Sequence, residues 1–477
     1  MIKYFAVLGY ALLVIIIGIL GSKKTKSLND FMLGGGKIGP WMSAFSYGTA
    51  YFSAVLFIGF AGKIGWAFGL SGLWIALFNT LIGVLGVWLI MGNKIKQETA
   101  KFSVQTMPEF LEARFNSPFL KLFTSIAIFI FFIPYTAAVF MGLSYLFETI
   151  FAMPYTYILL FMGIFTGIYL VLGGYKSMAM IDVIFGIVMV IGVSILLAFG
   201  LKEGGGISNI ITNLKEISPK LVAPVGPPGI IPLLSLIFLT SVAPFAMPQL
   251  VQKFYSIKDK KSVKIGAIAS TIFALLITSI AYFTGALTRV FIVPENNPAK
   301  FILKSGKLNF DAFMPEILAT IIPETLTVII LLLILAASMS TLAALVLISS
   351  SSITKDLYKG FVNKNASDKK LTKMIRFSSI FFILLSMVLA YQKPAVIVTI
   401  LSISWGAIAA VFLGPFIWGL FSRKVNKFGA IVGSVGGLFV CLILFLVWGA
   451  KMVPQAGSIG MIASLILVPI FSKFKEE

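Results

Sequence analysis

The sequence predicts an all-α protein that crosses a membrane many times, and three observations predict this class. Hydrophobic residues make up 59% of the 477 residues and charged residues only 12%, which is more apolar surface than a soluble core can use. Apolar runs long enough to cross the bilayer, which takes about 20 residues, recur along the chain. These runs do not alternate apolar with polar residues as the strands of an outer-membrane barrel do.

Charge, glycine and proline bound the apolar runs and indicate about 13 spans. The first run ends in Gly21-Ser22-Lys23-Lys24 instead of a small-residue cleavage site, so we interpret it as a retained span and not as a signal peptide. The spans are expected at 2–21, 41–62, 66–92, 119–147, 153–173, 178–200, 229–252, 265–290, 317–352, 374–391, 395–421, 428–449 and 455–472.

Lysine and arginine are concentrated in alternate loops. The first predicted loop carries Lys23, Lys24 and Lys26, whereas the opposite loops hold little charge, such as Lys451 after the twelfth span. Since positive loops stay in the cytoplasm, we expect a multi-pass protein of the cytoplasmic membrane with its N-terminus outside and its C-terminus inside. The net charge of +21 then reflects orientation in the lipid bilayer and predicts no nucleic-acid partner.

Several kinds of chemistry are excluded by residue usage. The chain has no histidine and one cysteine, Cys441, so an intrachain disulfide is impossible and a zinc or haem site is close to excluded. The phosphate-binding pattern G-x-x-x-x-G-K-[ST] is absent, and with it the sign of an ATP-driven pump. A membrane enzyme would also need a nucleophile–base pair, which we do not find, so the protein is predicted not to be an enzyme.

The ninth predicted span contains an oxygen-rich run, Ala336-Ala337-Ser338-Met339-Ser340-Thr341. Ala337, Ser340 and Thr341 follow the spacing i, i+3 and i+4, so they share one helix face. Hydroxyl and carbonyl oxygens without a thiol or imidazole suit a hard cation such as sodium. The run therefore predicts a sodium site, with sodium as the transported ion.

Two other spans are expected to be interrupted. The seventh contains Pro244 and Pro248, which remove two backbone donors near mid-membrane, and the second contains Gly48 among hydroxylated residues. Such breaks are tolerated where they are buried or face a cavity, and breaks five spans apart point to a transporter with inverted repeats. The alternative is a simple kink in the seventh span and helix packing in the second.

Asp182 lies early in the sixth span, where a carboxylate costs roughly 3 kcal/mol on insertion scales. It could assist a bound cation from the cytoplasmic half of the bundle, or it could simply reach the membrane interface.

In their order along the chain, these motifs and others resemble the sodium:solute symporter family. The others are Asp30–Gly36 before Gly39-Pro40-Trp41, Gly173-Gly174, Gln252-Lys253, Asp356-Leu357-Tyr358, Gly414-Pro415 and Gly429-Ala430. The resemblance implies a LeuT-like fold with five-plus-five inverted repeats. It divides the chain into a first helix and loop (1–39), a first repeat (40–200, helices 2–6), a second repeat (229–425, helices 7–11) and two C-terminal helices (426–477).

The resemblance also implies a sodium site shared by the second and ninth spans. The site residues would be backbone carbonyls of Thr49, Phe52 and Ala337 with the hydroxyls of Ser340 and Thr341, and Asp182 would lie nearby. Some members bind a second sodium ion one helical step further on. Ala343 and Ala344 stand there and offer no side-chain oxygen, so we expect one sodium ion per cycle.

The predicted function is sodium-coupled symport of a small organic solute by alternating access. Tyr51 replaces an acidic residue frequent in proline-carrying relatives, and the surrounding run is similar to the pantothenate and monocarboxylate branch, so we expect a solute bearing a carboxylate. A sodium symporter for an amino acid such as proline, or for a sugar, remains open, as does an ion channel or sensor on the same bundle. Candidate solute contacts are Tyr47, Tyr51, Ser53, Tyr135, Thr240, Pro244, Gln249, Ser402 and Ser404.

Overall fold

A computed structural model describes residues 2–22, 27–172, 174–303 and 305–474. Within these ranges the protein is built from helices, and the only β-type pairing is two isolated bridges. The all-α fold class predicted from the sequence is therefore confirmed. Lys23, Lys24, Lys26 and Gly173 of the sequence motifs lie outside the described residues.

Ten helices in the described part of the chain are long and apolar enough to cross a membrane, and a bent pair makes an eleventh. The count of 13 spans is not confirmed, because the fifth predicted span is a shorter helix, Tyr155–Tyr169, and the second is broken. The ten are Ile2–Leu20, Val55–Phe102, Pro118–Phe151, Tyr175–Glu203, Lys260–Phe291, Glu324–Val362, Asp368–Gln392, Ile397–Phe421, Lys427–Trp448 and Ala450–Phe471.

The ninth and eleventh spans form the centre of the bundle. Of the most apolar window in Glu324–Val362, 83% is buried, and the share in Ile397–Phe421 is 94%. The first span, Ile2–Leu20, has only 17% of its window buried. A helix that is apolar on all faces and largely buried lies in the core of a bundle. The polar run of the ninth span therefore faces protein and not lipid.

Both predicted breaks are present. In the second span the helix Pro40–Tyr51 ends at Phe52, whose backbone is extended, and a helical path resumes at Ala54. In the seventh span Ile230–Ala246 and Pro248–Ser256 meet at an angle of 41° across Met247. Met247 is extended, because a residue that precedes proline is pushed out of the α conformation.

A hairpin between the eighth and ninth spans (described residues 288–303 and 305–323) packs against the part of the second span that follows its break. Its helix Phe313–Thr320 packs against residues 55–68 and against the fourth span, Pro118–Phe151. Next to this helix the buried carboxylate of Asp311 accepts hydrogen bonds of 3.0 and 3.3 Å from the amide of Ile397, where the eleventh span begins. The hairpin therefore ties the second, fourth and eleventh spans together on one side of the membrane.

Candidate cation and solute site

The second and ninth spans touch through polar groups at the break. The hydroxyls of Thr49 and Ser340 are 2.9 Å apart. The Thr341 hydroxyl lies 3.1 Å from the carbonyl oxygen of Ala50 and 3.5 Å from that of Thr49. All of these residues are buried. The structure thus brings the predicted hydroxyl pair of the ninth span against the broken second span.

The two helices exchange hydrogen-bond partners at this point. In an unbroken helix the Ala54 amide would donate to the Ala50 carbonyl. Instead the Ala54 amide donates to the Ser338 hydroxyl at 3.0 Å, and the Ala50 carbonyl accepts a hydrogen bond of 3.1 Å from the Thr341 hydroxyl. The amides of Val55, Leu56 and Phe57 donate to the hydroxyl or the carbonyl of Ser53. The backbone carbonyls of residues 50–52 therefore lack the amide donors that they would have in an unbroken helix.

This arrangement provides neutral oxygens from two helices at one place. The Ala337 carbonyl belongs to it, because it accepts a hydrogen bond of 3.1 Å from the Thr341 hydroxyl. The carbonyl of Phe52 is one of those without a helical donor, and the ring of Phe52 lines the neighbouring cavity. A hard cation without a preference for nitrogen or sulfur fits such a set, and in the described residues no cluster of His, Cys, Asp and Glu offers another metal site.

Asp182 lies beside these oxygens, inside the bundle. Its side chain is 1% exposed, so it does not reach the membrane interface. It accepts a hydrogen bond of 2.6 Å from the Ser46 hydroxyl, one helical turn before Thr49. A carboxylate therefore stands one helical turn from the candidate cation site.

A cavity of about 50 Å³ begins at the break in the second span. This volume has room for only a few water molecules, whereas small-molecule sites measure roughly 300–1,000 Å³, so its walls must separate to admit a solute. Its walls contain no charged side chain. The lining residues are Tyr51, Phe52, Ser53, Val55, Leu56, Phe60, Asn79, Tyr135, Leu239, Thr240, Thr278, Tyr282, Leu401, Ser402 and Trp405.

Five candidate solute contacts line this cavity, namely Tyr51, Ser53, Tyr135, Thr240 and Ser402. The other four lie outside the lining.

Two of these four are engaged elsewhere by hydrogen bonds. The Tyr47 hydroxyl donates to the Gly83 carbonyl at 3.3 Å, and the Ser404 hydroxyl donates to the Phe131 carbonyl at 2.6 Å. Pro244 and Gln249 are buried at the break of the seventh span, and both amide atoms of Gln249 lack a hydrogen-bond partner. Gln249 therefore keeps free hydrogen-bonding capacity next to a break, although it does not line the cavity.

Asn79 was missed by the sequence analysis and stands at the polar centre of the cavity. Its amide nitrogen donates to the Tyr51 hydroxyl at 2.5 Å and to the Thr240 carbonyl at 2.7 Å, and the Tyr51 hydroxyl donates to the same carbonyl at 2.8 Å. Its oxygen has no partner. The sequence contains one indication of this position, because Asn79 is the only Asn or Gln in the predicted span 66–92.

Comparison with known proteins gives one family. The profile of the "Sodium:solute symporter family" matches residues 31–437, which is most of the chain. The match includes both broken spans, the ninth span and every residue of the candidate site.

Curated relatives align over nearly the full length. The high-affinity proline transporter PutP of Bacillus subtilis is 28% identical over 442 residues, covering 90% of this chain and 89% of the relative. The sodium/pantothenate symporter of Escherichia coli is 28% identical over 453 residues, covering 92% and 88%. Proteins with two different solutes are thus equally similar to this chain.

Solved structures show the same fold. A Na⁺-coupled sialic acid symporter in a substrate-bound, outward-open state superposes with a TM-score of 0.82 at 20% identity, covering 99% of this chain and 97% of the other. Mhp1, a nucleobase-cation-symport-1 family transporter in a closed conformation, gives a TM-score of 0.54 at 14% identity, covering 94% and 96%.

Proposed function

Because the chain belongs to the sodium:solute symporter family, we propose that it imports a small organic solute together with one sodium ion. Membership of this family also makes it a multi-pass membrane transport protein and not an enzyme. The repeats 40–200 and 229–425 rock against each other around the site, with the N-terminus outside and the C-terminus in the cytoplasm. The solute bears a carboxylate.

The observation that carries the coupling is the shared break. The Thr341 hydroxyl contacts the Ala50 carbonyl on one side of the break, and Phe52 and Ser53 line the cavity on the other side. A sodium ion bound by the oxygens of Thr49, Ser340 and Thr341 fixes the shape of the broken segment, and that segment is a wall of the solute cavity. Sodium thereby favours the conformation that takes up solute.

The solute chemistry follows from the free polar groups. The amides that follow the break are not free to bind a carboxylate, because those of Ala54 and Val55 donate to the Ser338 and Ser53 hydroxyls. The donors that remain in the cavity wall include the Ser402 hydroxyl and the Trp405 indole N–H, neither of which has a hydrogen-bond partner. Such neutral donors suit the oxygens of a carboxylate or amide.

Pantothenate and proline both bear a carboxylate, so both solutes are compatible with the neutral donors of this cavity. A sugar, which offers hydroxyls and no charge, is the weaker alternative. An ion channel on the same bundle would need a continuous polar pore, whereas the cavity here is small and walled largely by apolar and aromatic side chains. Saturable uptake that depends on sodium separates a symporter from a channel.

The proposal is tested on the purified protein. Thermal shifts are measured for pantothenate, proline, short monocarboxylates and glucose, each with sodium and with potassium. We expect a carboxylate-bearing solute to stabilise the protein only with sodium. In proteoliposomes, labelled sodium and that solute should then enter at a ratio of one, and transport of a singly charged anion should not respond to voltage. Stabilisation without sodium, or two sodium ions per solute, contradicts the proposal.

External pH should act through the hairpin. Burial raises the pKa of Asp311 to about 7, against the lowering effects of the Ile397 amide, Lys63 and Lys393. A hydrated aspartate has a pKa of about 3.9, so the closed hairpin binds the proton more tightly than an open one. Between pH 8 and pH 6 the ratio of closed to open protein should rise about tenfold, and uptake should slow.

The measurement is the initial uptake rate in proteoliposomes with the internal pH held constant. Asp311→Asn should remove the dependence on external pH between 6 and 8, and Glu295→Gln, which alters an exposed carboxylate on the same hairpin, should retain it. Faster uptake at pH 6 in the unmodified protein would show that protonation does not favour closure.

A further inference from the structure

Lys253 is a buried cation that the proposed transport cycle does not yet use. It lies in the second half of the broken seventh span and is 1% exposed. Its ammonium donates a hydrogen bond of 2.8 Å to the Ser46 hydroxyl and lies 4.9 Å from the centre of the Tyr175 ring. A buried ammonium is costly unless another charge balances it, so its partner determines its role.

The balancing charge is Asp182. The ammonium and a carboxylate oxygen of Asp182 are 4.0 Å apart, and Ser46 bridges them by donating to the same oxygen at 2.6 Å. A direct charge-assisted hydrogen bond would be about 2.7–2.9 Å. Lys253 therefore balances Asp182 through a hydroxyl and does not hold it directly.

The other carboxylate oxygen of Asp182 is buried and has no hydrogen-bond partner. The Ser46 hydroxyl that bonds to Asp182 lies one helical turn before Thr49, whose hydroxyl is 2.9 Å from that of Ser340 in the candidate cation site. The carboxylate thus lies between the ammonium of Lys253 and the helical turn whose oxygens are expected to hold sodium. Two cations share one anionic charge.

We propose that Lys253 is a positioning residue that competes with sodium for Asp182. This competition lowers the affinity of the site for sodium. When sodium leaves, the ammonium on its flexible four-carbon stem neutralises the carboxylate, and this assists release of sodium and the return of the empty protein. The inference rests on the proposed sodium-coupled function and adds to it a second, tethered cation.

The test is a sodium titration of thermal stability without solute, which reports binding and not transport. Lys253→Gln should lower the sodium concentration at half-maximal shift about tenfold, because a competing charge within about 4–6 Å of the carboxylate is removed. The maximal uptake rate should fall in the same variant, because sodium is released more slowly. Lys264→Gln, at an exposed position, should change neither value.

A double variant shows whether Lys253 acts through Asp182. In the Asp182→Asn background, adding Lys253→Gln should shift the sodium midpoint by less than about threefold, because the carboxylate for which the two cations compete is gone. The double variant has no unpaired buried charge, so it is also compared directly with the unmodified protein. If Lys253→Gln alone does not fold, Lys253→Met, an apolar replacement of similar length, serves as the single variant.

Equal effects of Lys253→Gln in both backgrounds, or a higher sodium midpoint in the single variant, would overturn the proposal. If the unmodified protein shows no sodium-dependent shift and no sodium-dependent uptake, the proposed function itself fails. The two failures are therefore distinguishable.

Discussion

Replacing Thr341 with alanine is expected to raise the sodium concentration for half-maximal uptake tenfold or more while the protein stays folded. The Thr341 hydroxyl contacts the carbonyls of Ala50, Thr49 and Ala337, so it stands where both halves of the proposed site meet. Removing an oxygen that contacts a charged partner weakens the binding of that partner by about 1.5–3 kcal/mol. A change of about 1.4 kcal/mol corresponds to a factor of ten in the binding constant. Ser340→Ala should act in the same direction, because the Ser340 hydroxyl meets Thr49.

The measurement is uptake as a function of sodium at saturating solute, with the thermal midpoint as a check on folding. Ser350→Ala is the matched control, because Ser350 is a buried serine of the same span that bonds only to carbonyls of its own helix. Thr341→Ser keeps the hydroxyl and should retain most of the sodium affinity. Normal transport at low sodium by both alanine variants would remove Thr341 and Ser340 from the site.

Replacing Asn79 with alanine should raise the solute concentration for half-maximal uptake about tenfold or more and leave the sodium midpoint within about twofold. The Asn79 oxygen is buried without a hydrogen-bond partner, and Asn79 lines the cavity, so this oxygen is expected to accept a hydrogen bond from a solute N–H or O–H group. Truncation removes that acceptor, and an unpaired buried donor on the solute costs about 1–3 kcal/mol. Tyr51 still bonds to Thr240 in the variant, so the walls keep one link.

The experiment measures uptake kinetics with pantothenate or proline, whichever binds with sodium. Thr80→Ala, at the next position and outside the cavity lining, should behave like the unmodified protein. An equal rise in the solute and sodium midpoints for Asn79→Ala would mean that Asn79 supports the shape of the break and does not contact solute.

The sequence predicted the parts of the site that depend on spacing along one helix. Ser340 and Thr341 had to share a face with Ala337, and Pro244 and Pro248 had to interrupt their span, because proline cannot donate a backbone hydrogen bond. The number of spans is not confirmed, because two of the apolar runs counted in the sequence form a broken helix and a short helix in the structure.

Side chains whose partners lie far away in the chain were not predictable from the sequence. Asn79 acquires a role only because the second and seventh spans approach it. Asp311 lies in a loop, and its partner Ile397 is 86 positions away. Tyr47 and Ser404 were proposed as solute contacts from their positions on the broken second span and on the eleventh span, and their hydroxyls bond to carbonyls of the third and fourth spans.

Composition and local spacing by themselves determined that this protein is a helical membrane protein and where its helices are interrupted, because insertion into lipid and hydrogen bonding within one helix depend on neighbouring residues. The tertiary structure alone decided which oxygens face each other, that Lys253 and Asp182 are balanced through Ser46, and which side chains line the cavity. Those outcomes depend on how separate helices pack, and that packing depends on residues hundreds of positions apart.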